Sequence, residues 1–101
     1  MTSLAYRDQG NERWIELSGP LDFEGCEAVG GRFAAAASQA TGDVVVDLRA
    51  VPFVASHGIR LLLQTHRILE GSGRRVKVSG LNPVVRKVFD TTGLFHAIPE
   101  V

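Results

Sequence analysis

Hydrophobic and polar positions change period several times along this chain, and each change marks an element. The segment Trp14-Ile-Glu-Leu-Ser18 alternates as a strand with one buried face does. Leu4-Ala-Tyr6 reads as a short partner strand, joined to it through the turn-like Gly10-Asn11, and Gly19-Pro20 ends the pair. From Phe23 to Ala40 the period lengthens. Cys26, Val29, Phe33 and Ala37 recur at spacings of three and four, the mark of a helix with one buried stripe, and Asp22 stands where it can cap that helix. Gly25, Gly30 and Gly31 each weaken the helix by roughly 1 kcal/mol relative to alanine, so packing on a sheet has to hold it. Gly42 is suited to a left-handed cap at its end.

Val44-Val-Val-Asp-Leu48 is almost continuously apolar and β-branched, as expected of a central strand covered by other structure. A helix follows from about His57 to Glu70 and stops at Gly71-Ser-Gly73. Arg75 to Ser79 alternates again, a fourth strand. Asn82-Pro83 supplies an N-cap and a proline at the first helical position. Val84, Val85, Val88 and Phe89 form that helix's expected buried face, Gly93 ends it, and Leu94 to Ile98 reads as a short last strand. The order β-β-α-β-α-β-α-β predicts a single α/β domain over residues 1–101, with a four- to five-stranded mixed, mainly parallel sheet. Because Arg75 to Ser79 alternates and is not apolar throughout, the helices are expected to pack chiefly on one face.

With 101 residues the chain has room for one core and no second. Eleven Lys and Arg balance eleven Asp and Glu, which leaves no strong field for nucleic acid or an anionic membrane. The basic run Arg74, Arg75 and Lys77 reads as a solvated surface. Cys26 is the only cysteine, so neither an intrachain disulfide nor a cysteine-based metal cluster can form. Its place on the apolar stripe marks it as a small buried hydrophobe. Met1 to Arg13 is polar and without a signal-peptide core, and no apolar stretch approaches the ~20 residues that span a bilayer. These features fit a cytoplasmic protein that is a monomer or weak dimer.

Chemistry is scarce. His57, His66 and His96 are too scattered for a zinc signature. His66 shares a helical face with Ile59, Leu62, Leu63 and Leu69, the setting of a partly buried, hydrogen-bonded histidine. Ser56 and His57 are adjacent at a helix start and point different ways, and no G-x-S-x-G elbow surrounds the serine. Neither Gly71-Ser-Gly73 nor Gly30-Gly31 matches a phosphate-binding loop. The reading is a binding protein, with no catalytic residues and no cofactor. One feature of the second helix stands out. Leu61 and Ile68 project away from its core stripe, beside Arg60, Gln64 and Arg67. Either a neighbouring helix covers them, or they form an apolar patch that docks another protein.

Three segments carry a family resemblance. Leu17-Ser-Gly-Pro-Leu-Asp22 is similar to the L-x-G-x-L-D loop of STAS domains. Val44 to Gly58 is similar to their hydrophobic strand and switch loop, and Gly80 to Phe95 to their closing strand–helix unit. The order and spacing resemble in particular the stand-alone anti-sigma factor antagonists of bacterial partner-switching systems. The resemblance implies an anti-sigma factor/serine kinase as partner, with Ser56 the hydroxyl that the kinase phosphorylates. It also implies a partner-binding surface of Asp22, Ala55, Ser56, His57, Gly58, Arg60 and Leu61. The sequence departs from the family at Ala55, where aspartate is usual, and at His57, where a small residue is common. Ser56 also stands where a helix N-cap belongs, which would make it a structural cap. The same fold and hydroxyl serve a second role, the STAS subunit of an ABC-type lipid or solute transporter that binds and stabilises its ATPase.

Overall fold

The computed structural model describes the whole chain, Met1–Val101. Strands β1 (Ser3–Gln9) and β2 (Glu12–Ser18) pair antiparallel. Helix α1 (Phe23–Gln39), β3 (Val44–Ala50), α2 (Ser56–Glu70), β4 (Val76–Ser79) and α3 (Pro83–Thr92) follow, and a 3-10 turn, Leu94–His96, ends the series. The sheet order is β1-β2-β3-β4, with β3 parallel to both neighbours, so the expected mixed, mainly parallel sheet is present with four strands.

Register explains why the helices share one face. Ile15, Val46 and Val78 lie side by side across three strands, and Val44 pairs with Val76. These residues, with Leu17 and Leu48, merge with Val29 and Phe33 of α1, Leu62 and Leu69 of α2, and Val85 and Phe89 of α3 into one buried cluster. The intervening row, Trp14, Val45 and Lys77, points the other way. On that helix-free face Arg7 lies 5.1 Å from the Trp14 ring centroid, and Lys77 Nζ reaches Glu12 at 3.1 Å and Asp43 at 3.3 Å. Long amphipathic side chains therefore cover the face that no helix covers, and Val45 is fully buried there.

Four local expectations need correction. The last segment is not a strand. Gly93 turns left-handed (φ 71°), His96 and Ala97 donate to Gly93 and Leu94, and the buried Leu94 and Ile98 stand four apart, a helical spacing. Only a single parallel bridge, Val78 to Glu100, closes that edge. Val84 is exposed, because α3 turns Val85 and Phe89, also four apart, toward the core. Cys26 is only half-buried, since Gly25 rather than Cys26 begins the stripe that continues through Val29 and Phe33. Gly42 is not left-handed; a Cβ there would lie 1.8 Å from the Asn11 carbonyl oxygen, so the glycine admits a close backbone approach.

Candidate partner-binding surface

Two loops leave the C-terminal ends of β2 and β3 and are stitched to one another. Leu21 donates its N–H to the Phe53 carbonyl at 3.1 Å, and Ala55 donates to the Leu21 carbonyl at 3.0 Å, around a parallel bridge between Leu21 and Val54. Both bridge residues are buried. The stitch sets the starts of α1 and α2 side by side and requires glycine at the third position of each helix. A Cβ on Gly25 would meet the Pro20 oxygen at 2.0 Å, and one on Gly58 would meet the Leu21 oxygen at 2.7 Å.

Asn82 holds the second loop from its other side. Its Nδ2 donates to the carbonyls of Val51 and Pro52 at 3.0 and 3.3 Å, while its Oδ1 accepts from Val85 N–H at 2.8 Å. A single side chain thus caps α3 and clamps the loop that leads to Ser56. Such bracing makes a loop behave as a rigid platform.

Ser56 is exposed and is the first residue of α2. The N-cap is Ala55, in extended conformation (φ −91°, ψ 178°), with no side-chain cap. The capping role expected for Ser56 therefore falls one residue earlier, on a side chain that cannot accept a hydrogen bond. Gly58 and Ile59 donate to the Ala55 carbonyl, and the N–H groups of Ser56 and His57 have no protein partner. Asp22 is different: its Oδ1 accepts from Gly25 N–H at 2.8 Å, so its carboxylate is committed to capping α1.

Between the two helix starts runs a groove of about 200 Å³, lined by Phe23, Cys26, Glu27, His57, Arg60, Leu61 and Gln64. His57 meets Phe23 edge-on with centroids 5.2 Å apart. Of the expected surface residues, His57, Arg60 and Leu61 line this groove, and Ser56 precedes His57 on the same helix. Asp22, the N-cap of α1, and Ala55 and the buried Gly58 do not line it. Leu61 is half-buried and packs onto α1, its Cδ1 3.9 Å from where a Gly30 Cβ would stand, whereas Ile68 stays exposed. The neighbouring helix covers one of the pair and leaves the other open.

Reasoning from sequence missed Phe23, which is 56% exposed, and Phe53, which is 43% exposed. Their signal was available: each is a large aromatic residue beside a loop. The thiol of Cys26 is pushed up by burial, and next by the carboxylates of Asp22 and Glu27, so it stays neutral. Aromatic edges, an aliphatic wall, one guanidinium and one carboxylate suit docking against another protein.

The family model described as "Mlab, STAS domain" matches residues 4–99. The chain belongs to the STAS domain family. An anti-sigma F factor antagonist of Lysinibacillus sphaericus is 33% identical over 81 residues, covering 79% of this chain and 69% of the relative. The crystal structure of an anti-sigma factor antagonist from Mycobacterium paratuberculosis superimposes with a TM-score of 0.89 at 25% identity, over 99% of this chain and 85% of that one. The Bacillus cell fate determinant SpoIIAA in its phosphorylated form superimposes with a TM-score of 0.72 at 25% identity, over 98% and 91% of the two chains. These relatives of the STAS domain are all described as anti-sigma factor antagonists or as the cell fate determinant SpoIIAA.

Proposed function

We propose that this STAS domain is an anti-sigma factor antagonist that binds an anti-sigma factor/serine kinase and is switched by phosphorylation of Ser56. The observation that carries the reading is the exposed Ser56 hydroxyl at the uncapped start of α2, beside the groove of Phe23, His57, Arg60 and Leu61. The domain acts in the cytoplasm, and no helix is long and apolar enough to cross a membrane. A phosphate on Ser56 adds roughly −1.5 to −2 charges. The free N–H groups of Ser56 and His57, at the positive end of the helix dipole, accommodate it without unfolding the helix. Its effect then falls on the partner: a charge buried in the interface without a matching cation costs several kcal/mol.

Calorimetric titration of the cognate kinase with wild type and with Ser56→Asp tests this. The variant is expected to bind at least about tenfold more weakly with an almost unchanged melting temperature. Unchanged affinity removes the switch from this surface, and an unfolded variant makes Ser56 a structural residue. Peptide mass spectrometry after incubation with kinase and ATP locates the phosphate. Its presence at Ser72, Ser79 or the buried Thr65 instead of Ser56 refutes the assignment. Recovery of a transporter ATPase in place of an anti-sigma factor by affinity capture supports the transporter-subunit reading.

A further inference from the structure

The basic run Arg74, Arg75 and Lys77 separates in the folded chain. Arg74 donates to the carbonyls of Ala37, Ser38 and Ala40 at the C-terminal end of α1, and Lys77 is paired with Glu12 and Asp43. The Arg75 side chain has no hydrogen bond or ion pair, although its backbone N–H donates to Asp43. Arg75 lines a cavity of about 520 Å³ between the end of α2, the start of β4 and the C-terminal turn. His66, Glu70, Arg74 and His96 share the lining, and Ala97 is its only hydrophobic residue. A cavity so lined has nothing to hold an apolar or stacking ligand, and its two guanidiniums outnumber its one carboxylate.

His66 supplies the second observation. Its side chain is 17% exposed, yet Nδ1 is buried with no hydrogen-bond partner, while Nε2 lies 3.7 Å from the exposed Glu70 carboxylate. Nδ1 is closed to solvent, so Nε2 is the nitrogen that His66 can offer to a ligand in the cavity. We propose that this cavity binds a small tetrahedral oxyanion, either free inorganic phosphate or the phosphate group of a small metabolite. Arg75 and His66 are its direct ligands and His96 is at the rim. The site lies at the opposite end of α2 from Ser56, about 20 Å away along a helix of 15 residues. It is separate from the partner surface and does not depend on the function proposed for it.

Titration of the full chain with sodium sulfate, followed by the histidine ring NMR signals at constant ionic strength, tests the site. Sulfate is expected to shift the ring signals of His66 and His96 saturably. Arg75→Gln and His66→Gln are each expected to weaken binding about tenfold, the loss of one charge-assisted contact, and Arg7→Gln on the far sheet face to leave it unchanged. Glycerol 3-phosphate compared with inorganic phosphate separates the two sources: tighter binding of the ester identifies an organic phosphate, equal binding the free ion. Absence of saturation at millimolar sulfate, or binding untouched in Arg75→Gln, overturns the proposal. Arg75 is exposed, so that variant remains informative even if His66→Gln does not fold.

Discussion

Helix α3 begins at Asn82, whose side chain accepts a hydrogen bond from Val85 N–H, and α2 begins at Ala55, whose methyl group can accept nothing. Both follow strand ends in the same sheet, and both have a clear core stripe. The capped start is joined to its surroundings through Asn82 and carries an exposed but unreactive Pro83-Val84 pair. The uncapped start presents Ser56, two free N–H groups and the ring of His57. Omitting an N-cap acceptor forgoes about 1 kcal/mol. The fold recovers rigidity at α2 through its neighbours, by the Leu21–Val54 bridge and the Asn82 clamp, which leaves the helix start itself available for binding. Local stability is given up where the helix start leaves its polar groups free and supplied where a side chain satisfies them.

The strongest way to break this contrast is to separate the two loops. Gly58→Val puts a branched side chain where the Leu21 oxygen already lies 2.7 Å from a Cβ. The expected loss is about 3 kcal/mol in urea unfolding, more than helix propensity can return. Next comes Asn82→Ala, which removes the α3 cap and both bonds to Val51 and Pro52. A loss of about 2 kcal/mol is expected, with faster amide exchange in the loop before Ser56. A control at Val84→Ala, in the exposed first turn of α3, is expected to change stability by less than about 0.5 kcal/mol.

Ala55→Asp sharpens the contrast in the other direction. A carboxylate at the N-cap accepts from the first-turn N–H groups and meets the helix dipole, for an expected gain of about 1 kcal/mol. A pH-dependent effect concerns Asp43, which receives the Arg75 N–H at 2.9 Å at the entrance to β3. Burial pushes its carboxyl up, but the Arg75 backbone N–H and the Lys77 ammonium outweigh burial and hold it below the usual 3.8. A depressed folded value stabilises the protein above that range, and the contribution disappears as pH falls through the folded value. Asp43→Asn is therefore expected to cost less than about 1 kcal/mol at neutral pH, solvent screening included, and nothing in strong acid. Unfolding curves of the two proteins at neutral and acid pH check the sign.

Periodicity in the chain was enough to locate the four strands, the three helices and the caps at Asp22 and Asn82, because burial on one face imposes spacings of two or of three and four. The order of elements likewise implied parallel pairing, since short helical crossovers allow little else. Ser56 and its neighbours His57, Arg60 and Leu61 were legible as a surface through the motif around Gly58. Other features depended on contacts between residues far apart in sequence. The carbonyls of Pro20 and Leu21 explain Gly25 and Gly58, and only the stitched loops bring those carbonyls there. Phe23 joined the site because α1 and α2 start side by side, a distance no local pattern encodes. The last strand became a 3-10 turn because Leu94 and Ile98 are buried while His96 between them is exposed, which the two-residue alternation of a strand cannot do. The sequence by itself determined the rhythm of burial along each strand and helix. Tertiary packing decided which polar groups are already satisfied and which remain free to bind, because a hydrogen bond depends on where its partner is and not on the residue that offers it.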